Sequence, residues 1–246
     1  MGIYEDKLSE KLSSAKWLVF FTGAGMSAES GVPTFRGEDG IWKKFSPREL
    51  ANVDAFMNNP ALVTEWYKHR RKIVRQTNPN AGHIAIAELE RYFEVTVVTQ
   101  NVDNLHSRAG STKVYELHGN LEKNFCMDCG TRFDSGGVDT LPDIPRCGCG
   151  GLIRPDIVWF GENLPAEQFS KAELAIENCD ILFIVGTSGI VFPAAHLPMN
   201  AKKLGKYLVE INPMESELSY YCDVVFRENA GKSLAAISKL AASLQA

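Results

Sequence analysis

The stretch LVFFTGAGMSAESGVPTFR, residues 18–36, limits what this chain can fold into more than any other. Leu18-Val19-Phe20-Phe21 is an apolar run of the kind that makes a strand buried on both faces. Thr22 ends the run, and Gly23-Ala24-Gly25 turns the chain sharply. Glycines one residue apart leave bare backbone, so amide N–H groups can approach a phosphate closely. Ser27, Ala28, Glu29 and Ser30 are predicted to begin a short helix whose N-terminus favours an anion. Strand, glycine turn and helix start together predict a dinucleotide site, and Gly23-x-Gly25-x-x-Ala28 fits the loose form of that fingerprint. A dehydrogenase would also need an acidic residue closing the next strand about 20 residues on. Residues Gly40 to Phe45 are no such strand. Instead, Gly31-Val32-Pro33-Thr34-Phe35-Arg36-Gly37 sets a rigid proline, an aromatic ring and a guanidinium directly after the turn, as a flap over a bound dinucleotide would.

The 246 residues suffice for one large domain or a domain with a small insertion, and 45% hydrophobic residues allow a substantial core. A net charge of −4 gives no electrostatic reason to expect nucleic acid or an anionic membrane as partner. No apolar run approaches the roughly 20 residues that cross a bilayer, and the N-terminus lacks signal-peptide character. A cytoplasmic protein is therefore expected.

Along the chain, an amphipathic helix is predicted over residues 4–16. Ser46-Pro47 and Asn59-Pro60 each read as a helix cap followed by proline in the first turn, the second helix running to about Gln76. Asn78-Pro79-Asn80 breaks it, and a further helix is expected to about Tyr92. Val95–Thr99 is β-branched throughout and reads as a central strand. Val114–Leu117, Ile181–Val185, Tyr207–Ile211 and Asp223–Phe226 are further strands, and a last helix begins near Lys232. Polar residues and glycines recur just past strand ends, at Gly23, Gln100, His118, Gly186 and Asn212. In an open parallel sheet that edge is where ligands bind.

Four of the six cysteines form Cys126-x-x-Cys129 and Cys147-x-Cys149, 17 residues apart. In a reducing compartment this spacing predicts metal rather than disulfides. Four thiolates select one zinc ion and fill its tetrahedral shell, so the site should be structural and hold an insertion too small for its own core. The second pair is one residue shorter than usual. Cys179 and Cys222 read as plain buried thiols. Among five histidines, His118 stands out because it ends a strand facing the proposed dinucleotide, and an imidazole titrates near neutrality, as a general base requires. Gln100, Asn101 and Asp103 offer hydrogen bonds suited to a ribose and a carboxamide; taken alone, such residues more often form turns.

Gly-Ala-Gly-Met-Ser at 23–27, Gly-Val-Pro-Thr-Phe-Arg at 31–36, Gln-Asn-Val-Asp at 100–103, Glu-Leu-His-Gly at 116–119, the four cysteines, Val-Trp-Phe-Gly-Glu at 158–162, Gly-Thr-Ser at 186–188 and Asn-Pro at 212–213 follow one another in order. In this combination the chain resembles the sirtuins, NAD-dependent protein lysine deacylases, over about residues 10–235. The resemblance implies an α/β fold: a Rossmann-type NAD-binding domain from residues 1–36, 80–120 and 155–246, with a small domain made of a helical module, 37–79, and a zinc-binding module, 121–154. NAD as co-substrate and an acyl-lysine would meet in the cleft between them. The acyl oxygen would displace nicotinamide from the ribose. His118 would take a proton from a ribose hydroxyl, which attacks the resulting imidate, and water would then release lysine and O-acyl-ADP-ribose. By the same resemblance, Gly23, Ala24, Gly25, Ser27, Thr34, Phe35, Arg36, Gln100, Asn101, Asp103, Gly186, Thr187, Ser188, Asn212 and Ala230 hold NAD, with Phe35 shielding the ribose and Asn101 sharing the catalytic work. Val158, Phe160, Gly161 and Val191 line the substrate channel, where the peptide would pair as an added strand. A monomer is expected.

On the helix after Pro60, Val63, Trp66, Tyr67, Ile73 and Val74 share one arc at 100° per residue, with Lys68, Arg71, Lys72 and Arg75 opposite as solvated charges. Arg70 falls inside the apolar arc, where a guanidinium is costly unless it meets an anion. Tyr67 and Arg70 also match the Tyr-x-x-Arg pair of the sirtuin subgroup that removes malonyl, succinyl and glutaryl groups; the alternative is that Arg70 pairs with a structural carboxylate. For the whole chain, an ADP-ribosyltransferase or a non-catalytic NAD or ADP-ribose sensor are the competing functions, and a dehydrogenase is weakest.

Overall fold

Leu18 and Phe20 pack into one hydrophobic cluster while Val19 and Phe21 pack into another, so the first strand is sandwiched between two layers. The computed structural model describes residues 3–34 and 47–245. Among the described residues, nine strands run in chain order: β1 Trp17–Thr22, β2 Glu94–Thr99, β3 Val114–Glu116, β4 Gly119–Cys126, β5 Arg132–Asp134, β6 Ile153–Ile157, β7 Ile181–Val185, β8 Tyr207–Ile211 and β9 Val224–Phe226. Among the described residues, six form a parallel sheet in the order β3-β2-β1-β7-β8-β9, with β1 paired to β2 and β7 in unbroken register. This is the doubly wound arrangement expected, with β1 near the middle and the crossover point beside it. β2 lies one place off the centre.

On one face the helices Ile3–Ser14, Ala81–Leu89 and Ala230–Leu244 cover Leu18, Phe20, Val97 and Phe183, and Phe20 stacks on Phe183 at 4.7 Å. On the other, Ala166–Asn178 and His196–Lys203 cover Val19, Phe21, Leu182 and Ile184. A third cluster joins Phe56, Val63, Tyr67 and Val74 to Leu121, Ile157 and Trp159. It packs the helices Val53–Asn58 and Pro60–Gln76 against the antiparallel sheet β5-β4-β6.

Several sequence expectations are corrected here. The helix after the glycine turn is Gly25–Ala28, two residues earlier than expected and one turn long. The helix after Asn80 stops at Leu89 rather than Tyr92. The β4-β6 sheet was not foreseen, because GNLEKNFC is polar and lacks alternation; its order comes from pairing, not from its own pattern. Arg71 is not solvated: it is 1% exposed and its Nε donates to Asp139 at 3.0 Å. Arg75 stays exposed as expected, while donating to Glu122 and Asp139. Cys179 is buried as expected, but Cys222 is only half-buried. Ser46 lies outside the described residues. No helix among the described residues is long and apolar enough to cross a membrane.

Candidate active site

At the C-terminal edge of the parallel sheet a cavity of about 530 Å³ runs from the glycine turn to β4 and β6. Its glycine-turn end is shaped by backbone meeting backbone. A Cβ on Gly23 would lie 2.8 Å from Gly186 O, and one on Gly25 would lie 2.8 Å from Gly186 Cα. Side chains at these positions would push apart the loops after β1 and β7. Gly23 N donates to Val185 O and Gly25 N to Gly186 O, which fixes the two loops together. Gly23, Ala24, Gly25, Thr34, Gln100, Asn101, Gly186, Thr187, Ser188, Asn212 and Ala230 all line the cavity. Phe35 and Arg36, expected to form the flap, lie outside the described residues.

Ser27 and Asp103 do not line the cavity. Ser27 donates to Asp103 Oδ2 at 2.6 Å behind the glycine turn, and both are buried. Burial pushes the Asp103 carboxyl up, with the Ser27 hydrogen bond opposing it. Asn101 Nδ2 donates to Gly23 O at 2.9 Å and to Ser27 Oγ at 3.2 Å. Both amide hydrogens are therefore engaged, which leaves the carbonyl oxygen as the group Asn101 can offer. Behind this layer Thr22, Thr99, His106 and His83 form a buried polar stack, with the two imidazoles 4.8 Å apart.

His118 sits in the link between β3 and β4 and lines the cavity. Gly119 makes this possible: its φ is +78, and a Cβ there would collide with Asp156 O on β6. Nδ1 of His118 is 2.9 Å from Gln100 O. A carbonyl can only accept, so Nδ1 carries the proton and Nε2 keeps its lone pair. Burial lowers the imidazole pKa, and the Gln100 bond partly opposes that shift. The ring is thus a neutral base at pH 7.

At the far end, Tyr67, Arg70, Val158, Phe160, Gly161 and Val191 line the cavity. Tyr67 and Arg70 are 1% and 8% exposed. Tyr67 Oη accepts a hydrogen bond from Trp159 Nε1 at 2.8 Å, and burial pushes its pKa up to about 12. The phenol stays neutral and keeps its own proton to donate. Arg70 lies over the Trp66 ring at 5.0 Å; burial lowers its pKa, while Tyr67 and Asp103 oppose the loss of charge. Residues 158–160 do not form a regular strand. Val158 N already donates to His118 O and Phe160 N to Ala51 O, so a peptide strand would have to pair with the remaining groups. The sequence alone assigns no role to Trp159, Arg154 and Glu162. Arg154 stacks on Trp159 at 3.3 Å and pairs with Glu162, whose carboxylate also accepts from Trp159 N. The Val-Trp-Phe-Gly-Glu run was the available signal.

Cys126, Cys129, Cys147 and Cys149 have their sulfurs within 4.8 Å of one another, with Cys126–Cys149 at 3.5 Å and Cys129–Cys147 at 3.6 Å. Zn–S bonds of about 2.3 Å in a tetrahedron require sulfurs nearly 4 Å apart, so the four residues fit one structural zinc ion. The short second pair still reaches the cluster, because Cys147 N donates to Gly151 O and Gly150 N to Cys147 O in a tight turn.

The model of the Sir2 family matches residues 23–193. The chain belongs to the Sir2 family. A relative from Aquifex aeolicus, an NAD-dependent protein deacylase, is 48% identical over 221 residues, which cover 88% of this chain and 92% of the relative. A solved Sir2 homologue–NAD complex superposes with a TM-score of 0.89 at 42% identity, covering 98% of this chain and 93% of that one. A histidine-to-alanine Sir2 variant with deacetylated p53 peptide and 3′-O-acetyl-ADP-ribose gives 0.87 at 33% identity, covering 96% and 98%. The sirtuin resemblance and the Rossmann-like parallel sheet thus stand.

Proposed function

We propose that this Sir2-family protein uses NAD to remove acyl groups from protein lysine side chains, releasing nicotinamide and O-acyl-ADP-ribose. One observation carries the reading: a single cavity joins the glycine turn, Asn101 and a neutral His118 to the buried Tyr67–Arg70 pair. The Gly23–Gly25 and Gly186–Ser188 turns would hold the phosphates through amides other than those of Gly23, Gly25 and Gly186, which bond within the protein, and Asn212 and Ala230 would hold the adenosine. Ser27 and Asp103 act from behind by fixing Asn101, whose carbonyl faces the nicotinamide ribose. His118 Nε2 takes the ribose hydroxyl proton, and Gln100 O shares the imidazolium charge that results. The low-dielectric walls strengthen these interactions as charge builds on the sugar.

Arg70 and Tyr67 give this site one cation and one hydroxyl donor at the acyl end, the pair that suits a carboxylate-tipped acyl group. Succinyl and malonyl groups are therefore the substrates we assign beside acetyl. The division into a large domain (1–36, 80–120, 155–246) and a small one (37–79 with 121–154) is supported by the third cluster, although Val102, Ile157 and Trp159 contribute to it from the larger part. Cysteines free of disulfides suit a cytoplasmic setting. The test is incubation with NAD and matched acetyl-, succinyl- and malonyl-lysine peptides. Equimolar nicotinamide, free lysine and O-acyl-ADP-ribose are expected. ADP-ribosylated protein without deacylated peptide would sink the reading.

A further inference from the structure

Glu210 lies on β8 with no exposure at all. A carboxylate in that position needs several donors to be tolerated. It finds Arg227 Nη1 at 2.7 Å, Ser219 Oγ at 2.6 Å, and the hydroxyl of Ser216. Arg227 does more than neutralise the charge. Its Nη2 donates to Ser219 Oγ at 2.9 Å, and its Nη1 reaches the carbonyl oxygens of Met214 at 3.2 Å and Asn212 at 3.4 Å. One guanidinium thereby ties both ends of the 212–219 segment to the buried strand. That segment is a wall of the cavity, through Asn212, Pro213, Met214 and Glu215, yet neither Glu210 nor Arg227 lines it.

We propose that Arg227 is a positioning residue for NAD: clamped on Glu210, it holds the 212–219 loop against the adenosine half of the bound dinucleotide. This rests on the reading that NAD occupies the cavity. Apart from the short 3-10 turn Ser219–Tyr221, the loop has no regular structure to shape it; among the described residues, Glu217 N donates to Ser188 O, Asn212 Nδ2 to Thr187 O and Asn212 N to Phe226 O, and Leu218 is buried in the core. The adenosine end takes no part in bond making. Its loss weakens ground-state and transition-state binding alike, which raises KM without changing kcat.

Arg227→Gln is the principal variant and Ser219→Ala the milder one, each measured as the full zinc-loaded chain. In Arg227→Gln the KM for NAD and the dissociation constant for ADP-ribose should rise together by roughly tenfold, with kcat at saturating NAD and KM for acyl peptide within about twofold of wild type. Ser219→Ala should move the same two constants less. Arg227→Lys should recover part of the loss, because an ammonium reaches the carboxylate but cannot fork to the loop carbonyls. Unchanged ADP-ribose affinity in folded Arg227→Gln overturns the proposal, as does a fall in kcat alone. If that variant does not fold, unchanged ADP-ribose affinity in Ser219→Ala overturns it. A wild-type chain that binds no ADP-ribose would instead remove the NAD reading beneath it.

Discussion

At the scale of single residues, the proposed chemistry depends on which nitrogen of His118 is bare. The Gln100 carbonyl settles that, and burial then keeps the ring unprotonated to lower pH than an ordinary histidine at 6.5. The midpoint of the acid limb of kcat/KM should consequently lie below pH 6.5. A pH–rate profile with a midpoint at or above 7 would contradict this. His118→Ala should lose at least about 100-fold in kcat. At the other end, Arg70→Met should cost succinyl-lysine peptides roughly 100-fold in kcat/KM and acetyl-lysine peptides less than about fivefold. Equal losses would remove the carboxylate reading. Much of this was legible in the chain: glycines, His118 and the Tyr67/Arg70 pair announce themselves by residue type at a strand end or on a helix face. The tautomer was not, because its partner is a backbone carbonyl 18 residues earlier in sequence. The Trp159–Tyr67 bond was not either, since it spans 92 positions.

Among the elements, the helix Pro60–Gln76 shows where local signals suffice. Asn59 caps it by accepting from Leu62 N, with Pro60 in the first turn, and the chain leaves it at Thr77. Asn59→Ala should destabilise the protein by about 1 kcal/mol, read as a shift in the denaturation midpoint with an unchanged m value. The faces of that helix were only half legible. Periodicity places Val63, Tyr67 and Val74 inward but cannot say that Asp139 waits for Arg71, which lies one turn from Tyr67 at the edge of that face. The antiparallel β4-β6 sheet was illegible for a related reason. Its order comes from the pairing of β4 with β5 and β6 and from Leu121 and Ile157 packing into the third cluster, so its sequence need not carry a regular strand pattern. Cys126→Ser should accordingly drop zinc below one per chain and lower the melting temperature, both measured on one sample by elemental analysis and calorimetry. Full zinc content in that variant would exclude a four-thiolate site.

For the molecule as a whole, two layers of helices on a parallel sheet leave one edge open, and most of the polar residues named from the sequence line the cavity there, Ser27 and Asp103 lying behind it. The same burial has a cost on the acid side. His83 is pushed down to about 4, and His106 well below its ordinary value. The unfolded chain binds these protons near pH 6.5 and the folded chain does not. Stability is therefore complete above that value and falls as pH drops through the window from 6.5 to about 4. His83 alone should remove about 2 kcal/mol between pH 7 and 5, partly offset by Asp103, whose raised pKa acts in the opposite sense. Denaturant titrations across that range, compared with His83→Gln, should show the variant with the shallower slope.

Arg71 and Arg75 leave the helix that bears Tyr67 and Arg70 and grip Asp139 and Glu122 beside the metal ribbon. The wall to which we assign the acyl tip and the cysteine ribbon are thus bolted to one frame. Replacement of the ribbon, however distant from NAD it lies, would re-aim the selectivity of the enzyme, and a chelator should blur the distinction between acyl groups before it stops turnover.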